Sequence, residues 1–136
     1  MGQTQILFIV LSVIIVGIAV AVGITQFGSN ATQANRNAVL LDLNDIAMKA
    51  QTWYRTPTSM GGGGGTFSGI TFASIGLTDS SGTYHNANAN ISGAGYVISS
   101  ATATEVHVNA KGNEHIQYDC VITTDGVTPG AASTWH

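Results

Sequence analysis

Charge is what this chain lacks most. Four Lys/Arg and seven Asp/Glu make up 8% of its 136 residues, against about a quarter in an ordinary soluble domain. No charged side chain precedes Arg36. Four scattered basic groups in a chain of net charge −3 build no phosphate-binding face, so no nucleic-acid partner is expected. A single cysteine, Cys120, excludes an internal disulfide and leaves the small domain without the covalent staple common in secreted modules. Only two prolines occur and Pro57 is the first, so nothing upstream of it breaks a helix.

Catalytic and ligand-binding patterns are equally scarce. Gly61 to Gly65 is a run of five glycines, but no Lys-Ser/Thr pair follows it and no basic residue lies near, which excludes a phosphate-cradling loop. His85, His107, His115 and His136 show no short ligand spacing; His107 and His115 are candidates to face each other across a hairpin, and all four are read as structural or surface groups. Asp119 and Asp125 lack the spacing of a Ca²⁺ loop. Cys120 lies in an apolar alternation with no helper base in sequence, and is read as core. No enzymatic role, no cofactor and no resident metal are expected.

What is present is one long apolar stretch, Ile6 to Ile24 (ILFIVLSVIIVGIAVAVGI), with Ser12 as its only polar side chain. As a helix it reaches roughly 28 Å, close to the roughly 30 Å hydrocarbon core of a bilayer. The chain is too short to bury that surface itself. A cleaved secretory signal is disfavoured, because MGQTQ holds no Lys or Arg and the apolar run is too long. A retained anchor is expected, with a short basic leader already removed as one explanation for the missing basic flank.

Past Gly28 the pattern turns amphipathic. Val39, Leu43, Ile46, Ala50 and Trp53 follow one helical face, widened by Leu40, Ala47 and Tyr54. Asp45 and Lys49 stand at i,i+4 in the favourable order. Asn37, Asn44 and Asp45 lie off the stripe, and Arg36 falls at its edge with its stem along apolar surface. Pro57 pushes Thr56 out of the α region, so the helix should end near Tyr54. One helix of about 50 residues, roughly 80 Å long, is the economical reading. Gly17, Gly23 and Gly28 admit two readings, close helix packing or a segment that melts locally.

Downstream, the glycine run reads as a flexible connection. Thr66 to Leu77 offers Phe67, Ile70, Phe72, Ile75 and Leu77 as one short extended segment or a loop lying on the helix, and Thr78 to Ser92 reads as polar surface loop. Three strands follow: Gly95 to Ser100, Thr104 to Ala110, and Ile116 to Thr123, the last two joined by a turn at Lys111-Gly112-Asn113. An antiparallel meander is expected, its apolar face (Val106, Val108, Tyr118, Cys120, Ile122) covering the stripe of the helix. From Asp125 on, an irregular surface tail is expected with Trp135 tucked back. The organisation is therefore α+β: residues 1–54 a long N-terminal helix (1–28 apolar all round, 29–54 amphipathic), 55–94 a glycine-rich variable loop region, and 95–136 a small antiparallel β-sheet and tail.

This arrangement, and MGQTQILFIVLSVIIVGIAVAVG in particular, resembles a type IV pilin. The resemblance implies an inner-membrane subunit trimmed by a prepilin peptidase, with Met1 the candidate for processing and N-methylation. Assembly machinery then extracts the subunit into a helical homopolymer on the cell surface, whose job stays open among adhesion, twitching motility, DNA uptake and scaffolding. The filament core would be formed by Gln5, Ile6, Leu7, Phe8, Val10, Leu11, Ile14, Ile15, Ile18, Val22, Ile24 and Phe27. The residues from Val39 to Trp53 would face partly the subunit's own sheet and partly its neighbours. Three departures stand out: Gln5 replaces the family's usual glutamate, Val22 stands near the usual helix-breaking proline, and Cys120 has no partner for a C-terminal disulfide loop. The alternatives are a pseudopilin or minor pilin of a secretion or uptake machine, or a monomeric membrane-anchored binding module. Asn30-Ala31-Thr32 and Asn90-Ile91-Ser92 are candidate glycosylation sequons.

Overall fold

The computed structural model describes residues 2–77 and 82–135. Helix α1 spans Gly2–Arg55 without interruption, one residue past the expected end. Thr56 closes it with a shared bond from its N–H to the carbonyls of Thr52 (3.0 Å) and Trp53 (3.2 Å), a tightened last turn of the kind that precedes a proline. The chain divides into two compact units, Met1–Gln33 and Ala34–His136, with the boundary inside α1.

In the first unit the described residues are all helical. Three of its hydroxyls bond back to the helix itself: Ser12 to the Phe8 carbonyl at 2.7 Å, Thr25 to that of Val22 at 2.8 Å and Thr32 to that of Gly28 at 3.1 Å. The helix is continuous across Gly17–Gly23 rather than melted there. A Cβ added at Gly17, Gly23 or Gly28 would meet nothing within 4 Å, so these glycines serve no close approach inside the chain.

The second unit is the rest of α1 against a six-stranded antiparallel sheet. The strands are β1 (Thr83–Tyr84), β2 (Gly95–Ala101), β3 (Glu105–Lys111), β4 (Ile116–Thr123), β5 (Val127–Pro129) and β6 (Ser133–Thr134), in the order β1-β2-β3-β4-β5 with β6 also on β4. The three long strands match the expected ones to within a residue at each end. In β3 and β4 alternate side chains are buried, and the register sets Val108 opposite Cys120 and Val106 opposite Ile122. A bulge in β2 places Ile98 opposite Val108 but Ser100 opposite His107, which sets Ala101 opposite the buried Val106. The tail differs from the expectation. Two short pieces of it pair with the outer edge of β4, satisfying backbone groups that a bare edge would leave open. Trp135 ends this edge buried, with its backbone N–H donating to the His115 carbonyl at 3.0 Å and its ring 4.6 Å from the His115 ring.

One core fills the space between helix and sheet. It joins Val39, Leu43, Ile46, Ala47 and Ala50 to Tyr96, Val106, Val108, Ala110, Ile116, Tyr118, Cys120 and Ile122, with Leu40, Trp53 and Tyr54 partly buried against it. Residues 66–77 form turns with no strand, and they bury Phe67, Ile70, Phe72 and Leu77 in the same core. The Phe67 ring lies 4.6 Å from that of Tyr54.

The glycine run is not a flexible connection. The N–H groups of Gly63, Gly64 and Gly65 donate to the carbonyls of Trp53 (2.8 Å), Thr56 (2.9 Å) and Tyr54 (2.9 Å). They thereby cap orphan acceptors at the C-terminus of α1. The Trp53 indole N–H donates to the Gly61 carbonyl at 3.1 Å. Only glycine permits this fold-back: Gly64 and Gly65 have φ of 62° and 92°, and a Cβ at Gly63 would collide with the Thr66 carbonyl and the Trp53 ring.

Gly63→Ala should therefore destabilise the second unit by about 1–3 kcal/mol, the cost of forcing a carbon into filled space. Gly126→Ala, where an added Cβ meets nothing, should stay within about 0.5 kcal/mol. Thermal unfolding of the full-length protein in detergent, followed by Trp fluorescence, measures both.

Candidate functional site

The surface that asks for a function is the first unit. From Ile6 to Phe27 the large apolar side chains are 50–79% exposed, on every side of the helix, and an 18-residue window of α1 is long and apolar enough to cross a membrane. Gln5, Ile6, Leu7, Phe8, Val10, Leu11, Ile14, Ile15, Ile18, Val22, Ile24 and Phe27 are all exposed. Full burial of one such side chain is worth about 1.5–3 kcal/mol. The uncovered total exceeds the roughly 5–15 kcal/mol that holds a typical domain folded. Every backbone bond and hydroxyl bond in the stretch is made locally, so the helix carries its polar groups into a dry environment already satisfied. Such a helix is compatible with membrane anchoring.

The packing residues lie where their alternation puts them. Val39, Leu43, Ile46, Ala50, Val106, Val108, Tyr118, Cys120 and Ile122 are buried, and Trp53 is half-buried. Val39, Leu43, Ile46, Ala47 and Ala50 are thus taken up by the chain's own core. Asn30 is exposed within α1, and Asn90 is exposed in a loop with its N–H on Asn113 Oδ1 at 2.7 Å. Met1, His136 and the stretch 78–81 of the expected polar loop lie outside the described residues. His107 does not meet His115: it sits 3.3 Å from Glu105 Oε1, while His115 stacks on Trp135. Asp119 is on the exposed side of β4, and Asp125 lies in the turn where Thr123 N–H bonds the Gly126 carbonyl. Among the described residues no three His, Cys, Asp or Glu side chains converge to hold a metal.

A polar hub escaped the sequence reading. Asp42 Oδ2 accepts from Tyr96 Oη at 2.6 Å and from the side-chain amides of Asn86 and Asn88, both at 2.8 Å. Nearby, Asn35 donates to the Asn88 carbonyl at 3.0 Å and accepts from the Glu114 N–H at 3.2 Å. Asn113 accepts from the N–H groups of Asn90 and Ile91. The segment His85 to Ser92, read as surface loop, is in this way strapped to both helix and β3–β4 turn. The asparagines gave only a turn signal in sequence; nothing there revealed that Asp42 would collect two of their donors together with the Tyr96 hydroxyl. Burial and the Asp42 carboxylate hold the Tyr96 hydroxyl well above its usual pKa, so it donates across the physiological range.

Sequence reading also missed the side of α1 opposite the core. Leu41 and Met48 are 69% and 61% exposed there, where a surface helix ordinarily carries charge.

Comparison of the chain with protein-family models, with characterised proteins and with solved structures returned no match. The class rests on architecture: an α+β chain with a long apolar N-terminal helix, packed through its second half on an antiparallel sheet, is compatible with a pilin-like fold.

Two outcomes follow. Asp42→Ala strands three donors and should cost about 2–3 kcal/mol, measured by denaturant unfolding of the full-length protein. Burial, and secondarily Asp119, pushes the Cys120 thiol from 9.0 up to about 11. The native state therefore keeps a proton that the unfolded chain has lost between those values. Stability should fall with rising pH across that window, by up to about 1.4 kcal/mol per pH unit. Cys120→Ala should flatten the slope between pH 9 and 10.

Proposed function

We propose that this chain is the structural subunit of an extracellular, type IV pilus-like filament. In this reading the stretch from Ile6 to Ile24 holds the subunit in the inner membrane until assembly machinery withdraws it. The carrying observation is the helix that is uncharged and exposed on all sides from Ile6 to Phe27. In lipid its backbone bonds are internal; in a bundle of identical helices it stays equally dry, so extraction exchanges lipid contacts for protein contacts. Copies that touch through unlike surfaces grow into an open helical polymer when the rotation does not close a ring. The role is structural and not catalytic, and the second unit forms the outer surface of the filament. A prepilin peptidase is the processing partner this reading requires.

The test is cryo-electron microscopy of filaments sheared from cells, with mass spectrometry of the first residue. Long polymers of this one chain are expected. Ile14→Glu places a carboxylate at the centre of the dry stretch, at a cost of about 3 kcal/mol or more. It should abolish filaments while the circular dichroism of the second unit persists. Undiminished filament yield from that variant, or a chain found only as a monomer in lipid, would overturn the proposal.

A further inference from the structure

The face of the sheet turned away from α1 carries a depression of about 500 Å³, within the roughly 300–1,000 Å³ of small-ligand sites. Two rungs of the strand register build it. Gly95, Lys111 and Gln117 stand side by side across β2, β3 and β4, and Thr83, Val97 and Asn109 across β1, β2 and β3. Gly95 has a φ of 138°, and a Cβ there would run into the Thr83 methyl and the His85 ring. Glycine thus lets both side chains close over β2. On the other side Gly93, at φ 86°, leaves room for the Trp135 ring. The Lys111 ammonium stands over that ring, 5.5 Å from its centroid.

The lining is chemically one-sided. It holds the hydroxyls of Thr83 and Ser99, the amides of Asn109 and Gln117, the His85 imidazole and one ammonium, but among the described residues no carboxylate. Lys111 makes no ion pair with a described residue. Asp119, opposite Asn109 on β4, lies outside the lining. Hydroxyls, amides and imidazoles each offer both a donor and an acceptor, which matches a ligand whose own groups do the same, a ring of hydroxyls. Val97, 39% exposed, and the glycines beside it give a flat apolar patch for the C–H face of such a ring. The uncompensated Lys111 favours one negative charge on the ligand. A phosphate polymer would need several cations, and an apolar ligand would strand the amides and hydroxyls.

We infer that this depression is a binding site for a hexuronate-type sugar, a ring of hydroxyls bearing one carboxylate. Lys111 takes the carboxylate, Asn109 and Gln117 take ring hydroxyls, and Val97 meets the C–H face. Every residue of the site belongs to the second unit, so the site stands whether or not the chain forms filaments. Because one cation supplies the charge recognition, the acidic sugar must bind more tightly than its neutral counterpart, and that margin must depend on Lys111.

The full-length protein, in a detergent without a sugar headgroup, is titrated with the methyl glycosides of glucuronate and galacturonate, with the neutral methyl glucoside and galactoside, and with acetate. Calorimetry reads affinity, and Trp fluorescence reports on Trp135 through its contact with Lys111. At least one uronate should bind saturably, with a Kd of about 1 mM or tighter, and shift the Trp emission. Its neutral counterpart should bind about tenfold more weakly or worse. Lys111→Gln should erase that preference while the thermal melt by circular dichroism stays in place, and Lys111→Arg should restore part of it. Asn109→Ala should weaken acidic and neutral sugars alike. Absence of saturable binding by either uronate, a preference that survives Lys111→Gln, or acetate binding as tightly as the uronate would each overturn the proposal.

Discussion

A helix with no charge and no buried side chains constrains everything else in this protein. Its backbone is internally bonded, and the two hydroxyls between Ile6 and Phe27, Ser12 and Thr25, bond carbonyls of the preceding turn. In water it would leave apolar side chains from Ile6 to Phe27 more than half exposed. The chain holds nothing large enough to cover them. The sheet buries its own inner face on the other half of the helix, and its core is complete without the first unit. An apolar stretch of that length is compatible with membrane anchoring.

The second unit solves a different problem, that of a small core without a disulfide. It gains rigidity from polar straps at both ends of the helix segment it packs on. At one end three glycine N–H groups cap the last carbonyls of α1, and the Trp53 indole is held by the Gly61 carbonyl. Further up the helix, Asp42 gathers Tyr96, Asn86 and Asn88, and Asn35 reaches Asn88 and Glu114. Charge-assisted bonds of the Asp42 kind are stronger than neutral ones. They fix the otherwise polar segment from His85 to Ser92 against the helix. Together with the tail strands on the edge of β4, they do the holding that a C-terminal disulfide loop does not do here.

Periodicity made part of this legible in advance. Alternation in β3 and β4 named their buried residues, and the spacing from Val39 to Trp53 named the core face of the helix, because both signals depend only on local geometry. The glycine run, the asparagine-rich segment and the tail were less legible. Each looked like loop by composition, and each is ordered by a partner outside its own segment: the end of α1, Asp42 and Asn113, and the free edge of β4. The exposure of Leu41 and Met48 was not legible either, because composition alone does not separate an outward apolar side chain on a helix from a core-facing one.

The sequence by itself determined that one uncharged helix must find a dry environment, that its continuation is amphipathic and that an antiparallel sheet covers it. Those are consequences of hydrophobicity and period, which act at short range along the chain. Only the tertiary structure decided which polar residues act together, why five glycines stand in a row, and which face of α1 the core leaves open. Those outcomes depend on atoms brought together by the folded chain, Asp42 with Tyr96 among them, and no local pattern encodes such meetings.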